Sequence, residues 1–263
     1  MRIALVQIAA TTDPAENLAV VADGVADAAA RGARLVVFPE ATQCRFGVPL
    51  GPVAEPLDGA WASRVRELAA DAGVTVVAGM FTPADDGRVR NTLLATGPGV
   101  EEHYDKIHLF DAFGVAESDT VAPGARPVTV TVDGVTVGLA TCYDLRFAGL
   151  FQTLGDAGAQ VVVVPASWGA GPGKREQWEL LVRARALDTT AFVAACDQAD
   201  PEAAGRPVAG GAPTGIGISA VAGPTGSLVA ALDAAPGTLV VDLDLDAVTA
   251  ARRAVPVLAN RRY

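Results

Sequence analysis

Short apolar runs rich in β-branched residues alternate along this chain with segments whose apolar positions recur every three or four residues. That alternation is expected where sheets are covered by helices. Ile3 to Ile8 reads as a strand. Asp13, Pro14 and Glu16 then supply an N-cap, a proline at N1 and a capping-box glutamate for a helix. Leu18, Val21 and Val25 form its apolar face and Gly32 ends it. Leu35 to Pro39 is a second strand, finishing at Glu40. Asp58 predicts the cap of a helix carrying Trp61, Val65 and Leu68, stopped by Gly73, and Val74 to Phe81 follows as a strand. Arg88 to Thr96 and His103 to Phe110 continue the strand pattern. Val128 to Val132 and Val135 to Ala140 flank Asp133-Gly134, the signature of a two-residue hairpin.

Cys142 stands just beyond that hairpin, before a helix predicted from about Phe147 to Asp156. A strand from Val161 to Pro165, a helix near Arg175 to Leu187 and a strand from Phe192 to Cys196 come next. Ala199 to Gly217, rich in Gly, Ala and Pro, reads as a loop. Strands near Ile216 to Val221, Leu228 to Leu232 and Leu239 to Leu243 complete the pattern. No shift of composition marks a linker. The expectation is one α/β domain over residues 1–263, built from two similar halves.

Composition narrows the class. With 263 residues and 51% hydrophobic residues, the chain has ample material for a core. Its formal net charge of −10 repels phosphate backbones and anionic lipid, which argues against nucleic acid and membrane surfaces as partners. The opening MRIALVQIAATTD has too short an apolar run for a signal peptide, and no stretch is long enough for a membrane helix. Three cysteines without CxxC spacing argue against a disulfide framework or zinc ribbon and make a reduced cytoplasm the expected setting.

Three chemically distinctive residues sit in or just after apolar runs: Glu40 after LVVFP, Lys106 within HYDKIHLF, and Cys142 after VTVGLAT. Strand ends are where side chains leave a core and converge on a pocket. A cysteine attacks a carbonyl as a thiolate and needs a base or a positive charge beside it. A carboxylate can take the thiol proton and return it to a leaving amine, while an ammonium stabilises the oxyanion. Together they form an acyl-transfer set that needs no histidine, metal or organic cofactor. A catalytic Cys142 is further expected to alkylate well below the pH of a free cysteine.

FPE at 38–40, YDKIHLFD at 104–111 and TCYDLRF at 141–147 resemble the three signature blocks of the nitrilase, or carbon–nitrogen hydrolase, superfamily. PASWGAGPGKREQWELLVRARALDTTAFVAACDQ at 165–198, GISAVAGPTGSLVA at 217–230 and VPVLANRR at 255–262 extend the resemblance over nearly the whole chain. It implies a four-layer αββα sandwich with two mixed sheets, and a homodimer or higher homo-oligomer. It implies Glu40 as general base and acid, Lys106 as thiolate and oxyanion stabiliser, Cys142 as nucleophile, and Glu117 as the glutamate that orients the lysine. Tyr143, through its backbone N–H, and Trp168 are implied in substrate binding. Tyr143-Asp144 after the cysteine, in place of the Trp-Glu of true nitrilases, points to amides. YDKIHLFD and CYDLRF are most similar to the Nit-type amidases, the ω-amidase and deaminated-glutathione amidase branch. The implied substrate is a small dicarboxylic acid monoamide, yielding a carboxylic acid and ammonia. A nitrile or N-carbamoyl amine on the same residues is the alternative reaction, and a non-catalytic binding module the alternative class.

Other features keep structural readings. Cys44 falls in a loop and Cys196 in a buried strand. His103 and His108, placed on opposite faces of one strand, cannot form a local metal pair. Asp242, Asp244 and Asp246 alternate as the solvated face of a strand. Arg146, Arg183 and Arg185 either pair internally with Asp144 or Glu179, or one of them clamps a substrate carboxylate.

Overall fold

The computed structural model describes residues 1–206 and 211–262; part of the Gly/Ala/Pro-rich loop, residues 207–210, lies outside them. The strands are β1 Arg2–Gln7, β2 Leu35–Val37, β3 Thr75–Pro83, β4 Val89–Gly97, β5 Val100–Asp105, β6 Asp111–Ala112, β7 Val115–Ala116, β8 Val128–Val132, β9 Val135–Leu139, β10 Val161–Ala166, β11 Phe192–Asp197, β12 Ala220–Ala222, β13 Leu228–Ala231 and β14 Gly237–Asp242. The helices are α1 Pro14–Ala30, α2 Ala60–Ala72, α3 Ala148–Asp156, α4 Lys174–Thr189, α5 Asp246–Ala254 and α6 Val257–Asn260.

Two six-stranded mixed sheets result, ordered β14-β1-β2-β3-β4-β5 and β13-β12-β11-β10-β9-β8, with β6-β7 a separate ribbon. In the first, β1, β2 and β3 run parallel and their outer neighbours antiparallel. The second repeats the plan, with β9, β10 and β11 as its parallel centre. The two similar halves expected from the sequence are therefore present. Alternation along the strands explains the layers: Ile3 and Leu5 enter the core shared by the sheets, whereas Ala4 and Val6 meet the helices. Val161 and Val163 divide from Val162 and Val164 in the same way. Helices α1 and α2 cover the first sheet through Val21, Val25, Trp61 and Val65. Helices α3 and α4 cover the second through Phe151, Leu154, Trp178 and Val182. The result is an αββα sandwich.

Several local expectations are corrected. Asp13 caps α1, accepting from Ala15 N at 2.8 Å, but Glu16 closes no capping box; Thr11 Oγ1 accepts the Asp13 N–H instead. The N-cap of α2 is Gly59, not Asp58, and Glu55 Oε1 accepts from Ala62 N at 2.8 Å. The strand expected to reach Phe110 stops at Asp105, so His103 and His108 do not share it. Asp242 ends β14 and pairs with Arg2, while Asp246 opens α5, so the three aspartates do not line one strand. The hairpin is as expected: Asp133 and Gly134 both take positive φ, 49° and 80°, matching a turn with the twist of its strands. All three cysteines are buried and free, and no helix among the described residues is long and apolar enough to cross a membrane.

Candidate active site

Glu40, Lys106 and Cys142 come off the C-terminal ends of β2, β5 and β9. Glu40 is brought inward because the chain beyond β2 hugs β3, with Phe38 N donating to Val77 O at 2.8 Å and Gly79 N to Pro39 O at 3.2 Å. Only glycine permits that approach. A Cβ on Gly79 would lie 2.5 Å from Ala41 N and 2.8 Å from Glu40 Cα. Ala41 itself is held at a φ of 56°, a left-handed conformation costly for a non-glycine residue. Gln198 Nε2 donates to Glu40 O at 2.9 Å and anchors the same turn from the opposite sheet.

Lys106 follows β5 directly. Its N–H donates to Asn91 O at 2.9 Å, and its carbonyl accepts from Gly124 N at 2.8 Å. The chain then turns away from the sheet, because Asp144 takes up His108: Oδ1 accepts from its N–H at 3.1 Å and from Nδ1 at 2.6 Å. Asp144 Oδ2 accepts from Tyr104 O–H at 2.7 Å and from Thr141 N at 2.8 Å. One buried carboxylate thus fixes the lysine arm to the residue before the cysteine. The His108 ring stacks on Phe147 with centroids 3.8 Å apart, a structural role as expected.

Cys142 opens a short 3-10 turn, Cys142–Arg146, at a φ of 44°. That strained conformation lifts the side chain off the sheet and toward the pocket. The first N–H groups of such a turn, that of Tyr143 among them, have no partner within it.

The three arms meet around the Lys106 ammonium. Nζ donates to Glu40 Oε1 at 2.9 Å and to the two oxygens of Glu117 at 3.2 and 2.9 Å. Glu40 and Lys106 are only 1% and 2% exposed. Asn91 Nδ2 donates to Glu40 Oε1 at 2.7 Å and to Glu117 Oε1 at 3.2 Å. Ser167 N donates to the other Glu40 oxygen at 2.8 Å, and Phe110 N to Glu117 Oε2 at 2.7 Å. Sequence reasoning missed Asn91 and these two N–H groups. An asparagine interrupting the apolar run of β4 was a signal for the first; backbone donors carry none.

The two carboxyls are driven apart. Burial raises the pKa of Glu40, and the Glu117 charge adds to it, against the pull of Lys106. Burial acts on Glu117 too, but Lys106, the Phe110 N–H and Asn91 outweigh it and hold that carboxyl below its ordinary value. Burial disfavours the Lys106 ammonium, yet Glu117 and Glu40 lift its pKa well above that of a free lysine. Burial and the Glu40 charge push the Cys142 thiol well above a free cysteine, with Lys106 only partly opposing them. That direction is opposite to the one that alkylation well below the pH of a free cysteine requires.

A cavity of about 760 Å³ opens above this cluster, with Glu40, Lys106, Glu117 and Cys142 all in its wall. Tyr143, Arg146, Trp168, Lys174 and Gln177 line one side, and Phe46, Phe110 and Phe113 also border it. Trp168 is pinned on both sides, its N–H to Asp197 Oδ1 at 2.7 Å and its Nε1 to Lys174 O at 2.9 Å. None of the three arginines pairs with Asp144 or Glu179. Arg185 binds Leu145 O and Asp188, Arg183 binds Gly226 O, and Arg146 donates to Gln177 Oε1 on the cavity wall.

Comparison with known proteins agrees with this geometry. The carbon-nitrogen hydrolase family model matches residues 2–253. A protein of Mycobacterium tuberculosis described as a hydrolase is 58% identical, over 99% of this chain and 95% of its own. The deaminated glutathione amidase of Escherichia coli O157:H7 is 33% identical, over 100% of this chain and 98% of its own. A glutamate-to-leucine mutant of the amidase from Nesterenkonia sp. AN1 superposes with a TM-score of 0.81 at 29% identity, covering 100% of this chain and 94% of that one. In that structure the acetamide moiety of fluoroacetamide is covalently added at the active-site cysteine.

Proposed function

The chain belongs to the carbon–nitrogen hydrolase, or nitrilase, superfamily, and we propose that it hydrolyses a small linear amide through an acyl-enzyme on Cys142. One observation carries the reading: two buried carboxyls with opposed pKa directions share a lysine ammonium beside a cysteine in an open cavity. Such opposed pairs mark acid–base assignments. Glu40, with the raised pKa, accepts the thiol proton as Sγ adds to the amide carbonyl. The Lys106 ammonium and the Tyr143 N–H stabilise the oxyanion. As the C–N bond breaks, Glu40 gives its proton to the nitrogen and ammonia departs. Water then attacks the thioester with Glu40 again as base, releasing the acid and restoring the thiol. Glu117, kept anionic, holds Lys106 charged and in place.

A dicarboxylic acid monoamide is the substrate class we favour. It suits Arg146, which lies on the cavity wall without a carboxylate partner among the described residues, and accords with the deaminated glutathione amidase similarity. Trp168 forms the wall beside it. Wild-type protein is expected to release ammonia from succinamate or 2-oxoglutaramate and to carry the matching acyl mass on Cys142 in rapidly quenched samples. A panel of amides giving neither would sink the reading; carbon dioxide among the products would indicate a carbamoyl substrate instead.

Glu40 sets the acid limb of the pH profile. Activity is lost as pH falls through its pKa, because the protonated carboxyl no longer accepts the thiol proton; burial places that limb above the ordinary carboxylate range. Glu40→Gln is expected to lower kcat by roughly 10²–10⁴-fold and to remove this limb. A profile that keeps the limb in the variant assigns it elsewhere.

We take residues 1–263 as one hydrolase domain that works as a homodimer or higher homo-oligomer in the cytoplasm. Leu187 and Val255 are 51% and 60% exposed beside an apolar groove bordered by Val257 and Leu258, a face suited to a second copy. Light scattering is expected to give at least twice the chain mass; a monomer at micromolar concentration refutes the assembly.

A further inference from the structure

The cavity carries two cations that take no part in the acyl transfer itself: Arg146, set above against a substrate carboxylate, and Lys174. Arg146 and Lys174 both line it, and among the described residues neither has a carboxylate within ion-pairing distance. In a chain with net charge −10 this is an unusual local surplus. The other charges in the cavity wall, Glu40, Glu117 and Lys106, are engaged with one another.

Lys174 is held in an aromatic setting. Its Nζ lies 4.3 Å from the ring centroid of Phe113, 5.4 Å from that of Phe110 and 5.9 Å from that of Trp168. The Arg146 guanidinium carbon stands 5.1 Å from the same Trp168 ring. Ring faces attract a cation without neutralising it, so the charge stays available to a ligand. The backbone is fixed as well, since the buried Trp168 indole donates to Lys174 O. Burial and the Arg146 charge hold the Lys174 pKa below that of an ordinary lysine, as expected for an ammonium short of anionic neighbours, while a thiolate at Cys142 would act in the other direction. Lys174 and the nucleophile Cys142 line the same cavity, so an acyl chain seated on the sulfur shares that space with the cation.

We propose that Lys174 is a specificity-determining residue that receives, together with Arg146, the anionic end of the acyl chain and selects anionic amides over neutral ones. The assignment rests on the amide-hydrolase reading above. It differs from a merely structural clasp between Lys174 and the phenylalanines, which would be indifferent to substrate charge.

The test compares wild type, Lys174→Met and Lys174→Arg on succinamate and glutaramate against neutral butyramide. Lys174→Met is expected to raise KM for both anionic amides about tenfold, the loss of one ion pair of about 1.4 kcal/mol. Its kcat should stay within threefold, the butyramide constants should hold, and Lys174→Arg should preserve the preference. Calorimetry on Cys142→Ala with and without Lys174→Met reads the same difference as Kd, free of turnover. Equal weakening toward charged and neutral amides, no change toward either, or no succinamate binding to Cys142→Ala overturns the proposal. Failure of the amide reading shows separately, as absence of ammonia from every amide with wild type, while the calorimetric arm still decides Lys174.

Discussion

Cys142→Ala is expected to lower kcat by roughly 10⁴–10⁶-fold while leaving the fold and amide binding intact. The size follows from the mechanism: without sulfur there is no acyl-enzyme, and the remaining oxyanion donors accelerate only a direct attack by water. The side chain is small and 9% exposed, so removing its sulfur disturbs little packing. Relief from the φ of 44° is not available to alanine, which isolates the chemical effect from the backbone one. Ammonia release and intact-protein mass check it together: turnover and the acyl adduct should vanish in parallel, with thermal stability close to wild type. An Ala variant that retained a tenth of the activity would mean that another group attacks. Cys44 and Cys196 do not offer one. Neither lines the cavity that holds Cys142, and Cys196 Sγ sits 3.2 Å from Val37 O inside the core.

Lys106→Met carries the second large effect, on stability as well as rate. The stem is kept and the ammonium lost, leaving Glu40 and Glu117 buried against each other without the charge that both contact. Removing one partner of a buried ion pair costs about 3–5 kcal/mol. In the wild type the lowered Glu117 contributes stability above the unfolded carboxylate pKa, and this is lost as pH falls through its folded value. In the variant both carboxyls titrate above their unfolded values, so the folded state holds more protons and its stability falls as pH rises. The deficit is expected to be small near pH 4 and largest at neutral pH and above. Urea unfolding at several pH values measures it, and a deficit independent of pH would show that the ammonium does not hold the carboxyls apart. Activity should fall by at least about 10²–10³-fold, the usual effect of losing one oxyanion stabiliser.

Much of the architecture is legible in the sequence. The β1–α1 unit, the Asp133-Gly134 hairpin and the parallel strands Leu35–Val37 and Val161–Ala166 follow from periodicity and turn chemistry, which act within a few residues of each other. Elements were misplaced where a distant contact overrides local preference. The strand through His103 ends at Asp105 because Asp144, forty residues from Tyr104, holds both Tyr104 and His108. The aspartates from the end of β14 onward alternate like a strand, yet Asp246 begins a helix whose Val248 packs into the inter-sheet core.

For the site, the sequence by itself singled out the candidate groups: an acid, an ammonium and a thiol, each in or just after an apolar run and in blocks similar to a known family. Only the tertiary structure decided which of them share a cavity and in which direction burial and neighbouring charges move each pKa. Glu40 receives Ser167 N–H across 127 residues and the Lys106 ammonium across 66. The contrast between Glu40 and Glu117, the raised pKa of Cys142 and the surplus charge of Lys174 arise from burial and from charges summed over segments that the chain keeps far apart. Residue type is local information, whereas a pKa or an unpaired cation is a property of everything packed around it.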